Sequence, residues 1–244
     1  MSRQFKSLSG QVIVITGATS CIGLSTARML ARRGAALVLA ASQVTTLDRL
    51  AGEIRQAGGK VLALPVDVTA LDQVQSLGSN ALAFFGRIDT WINAGMAMDD
   101  LDEARPAPIA ARLFSAHYWG AEHGAQVARS LMAQNGGAII NLDSDACARH
   151  GVKGLTDTLR AHIETDGVPI DVTLVHAAGR SDMDNAPRLM AEAILQAALH
   201  AQRDIVVNGA SAAPARGVAI PAPGLLDRVR ELFTLRQSHK ASHT

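Results

Sequence analysis

Short β-branched and aliphatic runs alternate along this chain with longer segments whose apolar residues recur every three or four positions. That pattern predicts repeated strand–helix units around a parallel sheet. Residues 12–16 read as the first strand, 21–33 as a helix closed by Gly34, and 36–40 as the second strand. Leu47, Leu50, Ala51 and Ile54 share one helical face ahead of Gly58. Residues 61–66 follow as the third strand, 71–85 as a helix and 88–92 as the fourth strand. The second half repeats the scheme with a long helix over 109–132, a strand at 138–142, a helix through Val152, Leu155, Leu159 and Ile163, and a strand at 170–175. A helix over 189–200 and a strand at 205–207 come next. The Ala/Pro-rich stretch 212–223 is expected to be a surface loop. Beyond it, Leu225, Leu226, Val229, Leu232 and Phe233 predict a short amphipathic helix near 224–236, packed on its own domain or on a second copy. The expected fold class is α/β, a single domain over 1–244 built on one doubly wound parallel sheet of about seven strands with helices on both faces.

Composition narrows the partners. With 48% hydrophobic residues in 244, the chain has enough apolar content for one large core. Lys+Arg 23 against Asp+Glu 22 leaves a formal net charge of +1, so no field concentrates it on nucleic acid or on an anionic membrane. Cys21 and Cys147 are too few for a disulfide framework, and MSRQFKSLSG lacks the apolar run of a secretory signal. No segment has the apolar length of a membrane span. The expectation is a cytoplasmic protein with no nucleic-acid partner, no membrane partner and no metal site.

The first strand runs into Thr16-Gly17-Ala18-Thr19-Ser20-Cys21-Ile22-Gly23, which is strand, glycine turn and helix start in the order a dinucleotide site requires. Gly17 permits the tight turn, the helix N-terminus offers N–H groups and a positive dipole end to a pyrophosphate, and Gly23 lets the helix approach the sheet. In this spacing the chain resembles the short-chain dehydrogenase/reductase family, whose motif is T-G-x-x-x-G-x-G. Cys21 stands at the middle glycine and is expected to add a side chain near the pyrophosphate. Asp67-Val68-Thr69 resembles the family segment whose aspartate contacts the adenine ring, and Asn93-Ala94-Gly95 resembles its N-A-G element, with Ile92 in place of a preceding asparagine. The resemblance implies a Rossmann-type fold that holds NADP or NAD through Gly17, Ser20, Cys21, Ile22, Gly23, Ser42, Asp67, Val68, Asn93, Ala94 and Gly95. After the second strand an acid would accept from a ribose 2′-hydroxyl and an arginine would pair with a 2′-phosphate. Ala40-Ala41-Ser42-Gln43 contains neither, and the missing acid tilts the expectation toward NADP.

In the family a tyrosine exchanges the substrate proton, a lysine four residues on lowers its pKa, a serine holds the carbonyl and an asparagine supports a water relay. By alignment Ser144 takes the serine's place and His117 the asparagine's. Counting back from Val152-Lys153-Gly154-Leu155-Thr156, the Tyr-x-x-x-Lys positions fall on Asp145 and Arg149. Ser144 and Asp145 are adjacent, so the pocket loop that separates serine from tyrosine in the family is missing. A carboxyl with an ordinary pKa of ~3.9, next to an arginine one turn on, has no proton to donate at pH 7. Asp145 and Arg149 then read as a helix-surface ion pair, and Ser144 as a helix cap. The single tyrosine, Tyr118, adjoins His117, and helix neighbours point about 100° apart, so the two are not expected to share a pocket. After the sixth strand the family's Pro-Gly is replaced by Ala177-Ala178, and 179–185 is too short for the family's substrate lid.

The leading reading is a short-chain dehydrogenase/reductase-like protein that keeps NADP(H) binding with impaired or absent hydride transfer, a pseudoenzyme or scaffold. One alternative is an active NAD(P)-dependent oxidoreductase on a carbonyl or alcohol substrate with a non-standard proton donor. Another is non-redox lyase, hydrolase or isomerase chemistry at Asp143, Ser144, Asp145 and His117. The family's pairing of its two long helices, here 109–132 and 145–164, implies a homo-oligomer, a dimer or tetramer.

Overall fold

The computed structural model describes residues 5–94, 107–143, 149–177, 186–208 and 211–214. Its strands are β1 (Val12–Thr16), β2 (Ala36–Ala41), β3 (Val61–Pro65), β4 (Thr90–Asn93), β5 (Gly137–Asp143), β6 (Ile170–Ala177), β7 (Asp204–Asn208) and β8 (Ser211–Pro214). Between them lie α1 (Cys21–Arg32), α2 (Val44–Gln56), α3 (Leu71–Phe85), α4 (Ala107–Met132), α5 (Arg149–Asp166) and α6 (Ala186–Leu199). The sheet order is β3-β2-β1-β4-β5-β6-β7-β8, and every pairing from β3 through to β7 is parallel. This is the doubly wound α/β architecture expected from the alternating pattern.

The strand alternation divides the core into two halves. Ile13 and Ile15 of β1, with Leu37 and Leu39 of β2, pack against α1, α2 and α6. Val12 and Val14, with Val38 and Trp91, pack against α3, α4 and α5. All five residues of β1 are buried, which is why the strand reads as a continuous apolar run instead of an alternating one.

One expectation is corrected. Ser211–Pro214 is a strand, antiparallel to β7 from Asn208↔Ser211 to Ile205↔Pro214, where a surface loop was expected from 212 onward. Alanine has little strand preference, so the segment carries no strand pattern of its own. The outer edge of β7 recruits it by offering unpaired backbone donors and acceptors. Residues 215–223 and the expected helix near 224–236 lie outside the described residues. Among the described residues, no helix is long and apolar enough to cross a membrane.

β4 starts two residues later than expected because the chain at Asp89 serves as an anchor. Its backbone N–H donates to the Val12 carbonyl at 2.9 Å, and its carbonyl accepts from Ala138 at 3.1 Å. Its carboxylate accepts from Lys6 Nζ at 2.6 Å on Oδ1, and from Val12 N–H and Arg87 Nε, both at 2.8 Å, on Oδ2. Burial alone would raise the Asp89 pKa, but these donors outweigh it and hold the carboxyl below the ordinary carboxylate range. A depressed folded-state pKa contributes stability above the unfolded value, and that contribution is lost as pH falls through the folded one. Asp89→Asn is therefore expected to cost about 1–3 kcal/mol at neutral pH in urea denaturation. The gap to wild type should close as the pH is taken below ~4; a gap still undiminished at the acid end would refute this account.

Candidate functional site

Strand order reverses between β1 and β4, and in open α/β sheets such a switch point leaves a crevice at the carboxyl ends of the strands. A cavity of about 250 Å³ occupies it. Its wall is built from Thr16, Gly17, Thr19 and Ser20 at the β1–α1 turn, Ala41, Ser42 and Gln43 after β2, and Val66, Asp67 and Val68 after β3. Asn93 and Leu142 at strand ends, with Ala116, His117, Gly120 and Ala121 on α4, complete it.

The β1–α1 turn is shaped by two glycines. Gly17 has φ 66°, a left-handed conformation that a side chain disfavours. A Cβ on Gly23 would lie 2.9 Å from Ala18 Cα and closer still to the Gly17 carbonyl oxygen, so α1 rests directly on the turn. Ala18 N–H donates to the Ala40 carbonyl at 3.1 Å and fastens the turn to β2. Ser20 caps the helix, its Oγ accepting from Gly23 N–H at 2.9 Å. The N–H groups of Thr19 and Ile22 have no acceptor among the described residues. These donors stand at the positive end of the α1 dipole and fit a pyrophosphate.

Four of the residues expected to hold the nucleotide, Cys21, Ile22, Gly23 and Ala94, do not line this cavity. Cys21 lines a separate groove between α1 and α6 with Leu24, Arg28, Arg188 and Glu192. Its side chain is among those lining that groove and not among those lining the cavity. Ile22 and Ala94 are buried in the core, although Ala94 N–H still ties β4 to the Thr16 carbonyl at 3.1 Å. Gly95, Ser144 and Asp145 lie outside the described residues. Arg149 opens α5, with five residues between it and the last residue of β5.

Asp67 stands exposed at the cleft rim, where its Oδ1 accepts from Thr69 Oγ1 at 2.7 Å and from Thr69 N–H at 2.9 Å. The Thr69 hydroxyl and backbone bonds lower its pKa and keep the rim negatively charged. Below the floor, Asn93 Oδ1 accepts from Trp91 Nε1 at 2.9 Å and from Thr16 Oγ1 at 3.2 Å. Its Nδ2 donates to Asn141 Oδ1 at 2.9 Å and to the Ala121 carbonyl at 3.3 Å. Asn141 Nδ2 continues to Thr156 Oγ1 at 3.0 Å. Sequence reasoning missed Thr16, Asn141 and Thr156 in this network, and also Gly120 and Gly124. A Cβ on Gly120 would come within 2.9 Å of Val68 Cγ2, and one on Gly124 would displace the Asn93 amide. Two glycines four apart inside a predicted helix were the available signal.

His117 is 2% exposed and lines the cavity, with Nδ1 3.1 Å from the Leu113 carbonyl oxygen. Tyr118 turns away, stacking on Phe114 with centroids 5.8 Å apart, as the helical rotation predicts. Asp143 is buried at the end of β5 and does not line the cavity. Among the described residues, no group of three or more His, Cys, Asp or Glu side chains could hold a metal ion.

A glycine turn at a helix N-terminus, at the switch point of a parallel sheet, is the arrangement found in dinucleotide-binding α/β proteins. The family model for short chain dehydrogenase matches residues 11–186, and the chain belongs to that family of oxidoreductases. The uncharacterized oxidoreductase YxnA of Bacillus subtilis (strain 168) is 33% identical to it over 97% of this chain and 76% of the relative. That match extends over 276 positions, more than the 244 residues available, so YxnA carries stretches with no counterpart here. The cis-4-hydroxycyclohexanecarboxylate dehydrogenase of Sinomonas cyclohexanicum is 33% identical over 66% of this chain and 70% of its own. A metagenomic short-chain oxidoreductase solved in complex with NADP superposes with a TM-score of 0.70 at 26% identity, covering 83% of this chain and 99% of its own.

Gly23→Ala is expected to force α1 off the turn, because the new methyl meets backbone that no rotamer change can move. Nucleotide titration should show at least a ~10-fold loss of affinity, with a fall in stability of about 1–3 kcal/mol. Unchanged binding would show that the turn does not hold the ligand.

Proposed function

We propose that this chain is a nucleotide-binding short-chain dehydrogenase homologue in which hydride transfer is impaired or lost. The observation that carries the reading is the connection between β5 and α5. Only residues 144–148 join Asp143 to Arg149, and counting along the sequence from Val152 puts the family's tyrosine and lysine positions on Asp145 and Arg149. Five residues leave no length for a pocket loop between a strand-end serine and a helix-borne tyrosine. NAD(P) when bound would supply or accept a hydride. The turn donors at Thr19 and Ile22 would hold its pyrophosphate, and Ser42 and Asp67 would meet its adenosine half.

NADP(H) is proposed ahead of NAD(H), since no acid follows β2 and the metagenomic neighbour holds NADP. The cavity wall also contains no lysine or arginine among the described residues. Calorimetric titration should therefore detect both nucleotides, with a preference of less than ~10-fold, because a 2′-phosphate finds no charge-assisted partner. Carbonyl reduction should fall about 10²- to 10⁴-fold below that of an intact family member, the usual contribution of a general acid. Robust NADPH-dependent reduction that disappears in Ser144→Ala would overturn the proposal.

A homo-oligomer formed through α4 and α5 is part of the same proposal. Phe114 and Trp119 on α4 are 40% and 45% exposed, and Tyr118 lies against Gly151 of α5, so an aromatic ridge on α4 borders α5. Light scattering should give a dimer or larger for wild type and a smaller species for Trp119→Asp; a wild-type monomer would refute the assembly.

A further inference from the structure

We infer that His117 is a hydroxyl-binding residue of the cleft, its Nε2 accepting a hydrogen bond from a sugar or alcohol hydroxyl of the bound molecule. The ring's tautomer follows from its other nitrogen. Nδ1 lies 3.1 Å from the Leu113 carbonyl oxygen, which can only accept, so Nδ1 carries the hydrogen, and in that tautomer Nε2 is an acceptor. The ring is 2% exposed, and Nε2 is fully buried with no partner among the described residues. A buried acceptor without a donor is disfavoured, and one in the wall of a cavity is satisfied by what fills the cavity.

Among the described residues, the surrounding wall does not supply that donor. Ala116, Gly120, Ala121 and Leu142 have no polar side-chain atoms. The Asn93 amide is already committed, Nδ2 to Asn141 and Ala121, and Oδ1 to Trp91 and Thr16. A hydroxyl is the chemistry that fits. It turns its hydrogen toward Nε2 by rotation about one C–O bond, and its oxygen can still accept from a second group. An amide N–H has a fixed direction, and an ammonium would need an acid that this part of the wall lacks among the described residues.

Two sources supply such a hydroxyl, the ribose of a dinucleotide and an alcohol bound beside it. The first rests on the nucleotide-binding reading above and the second does not. The test follows the imidazole ¹⁵N resonances of the full chain, assigned by the signal lost in His117→Gln, during addition of NADH and, separately, of cyclohexanol. The expected result is an Nδ1–H pattern for His117 and an upfield movement of Nε2 on one of the two additions. Movement with NADH identifies the ribose, and movement with cyclohexanol identifies the alcohol. Calorimetry with the ligand that moves Nε2 should show His117→Phe binding it about 10-fold more weakly, and His117→Gln recovering part of that loss through its side-chain carbonyl. An Nε2 resonance unmoved by both additions overturns the inference, including the case where NADH binds. Absence of both NADH and NADPH binding by calorimetry instead removes the proposed nucleotide function, and the cyclohexanol arm still decides His117.

Discussion

The side-chain amide of Asn93 is almost wholly withdrawn from water, so its hydrogen bonds are met inside the protein, and meeting them fixes where several elements sit. Asn93 is 3% exposed at the end of β4. Its two amide atoms engage Thr16 on β1, Trp91 on β4, Asn141 on β5 and a main-chain carbonyl of α4. Through Asn141 and Thr156 the network also reaches α5, where the Thr156 hydroxyl donates to the Val152 carbonyl at 2.7 Å. Buried networks of this kind are stable only when every member is satisfied. The position of α4, and with it the wall of the cleft, is thus set from beneath by polar bonds as well as by apolar packing.

The same arrangement separates the needs of the fold from those of the chemistry. The crevice exists because strand order reverses beside β1, and its turn exists because Gly17 and Gly23 permit a close approach. None of this asks for a particular residue at 145 or 149. A family fold can therefore persist under changed side chains at those positions, and activity has to be argued from the site itself.

Much of the fold was legible in the sequence because it rests on local periodicity. α3 has the predicted limits, with Leu71 and Phe85 as its ends and Gly86 in the left-handed conformation that closes it. What escaped notice depended on partners distant in sequence. β8 is a strand because β7 offers an edge, and its Ser-Ala-Ala-Pro sequence has no signature of that role. The place of Cys21 was missed for a related reason: motif spacing places a residue beside the turn but says nothing about which groove its side chain lines. Asn141, Thr156 and Gly124 were missed because each acts through Asn93, and their separation along the chain hides the contact.

β8 also bears on how sheets of neighbouring molecules can meet. By pairing with β7 it occupies an edge that would otherwise present a ladder of open donors and acceptors to any extended strand nearby. The new border is four residues long and ends at Pro214, which has no N–H to give. Continuation of the β-structure from one molecule into the next is disfavoured on that side, so a growing fibre finds no ready template at this edge of the sheet.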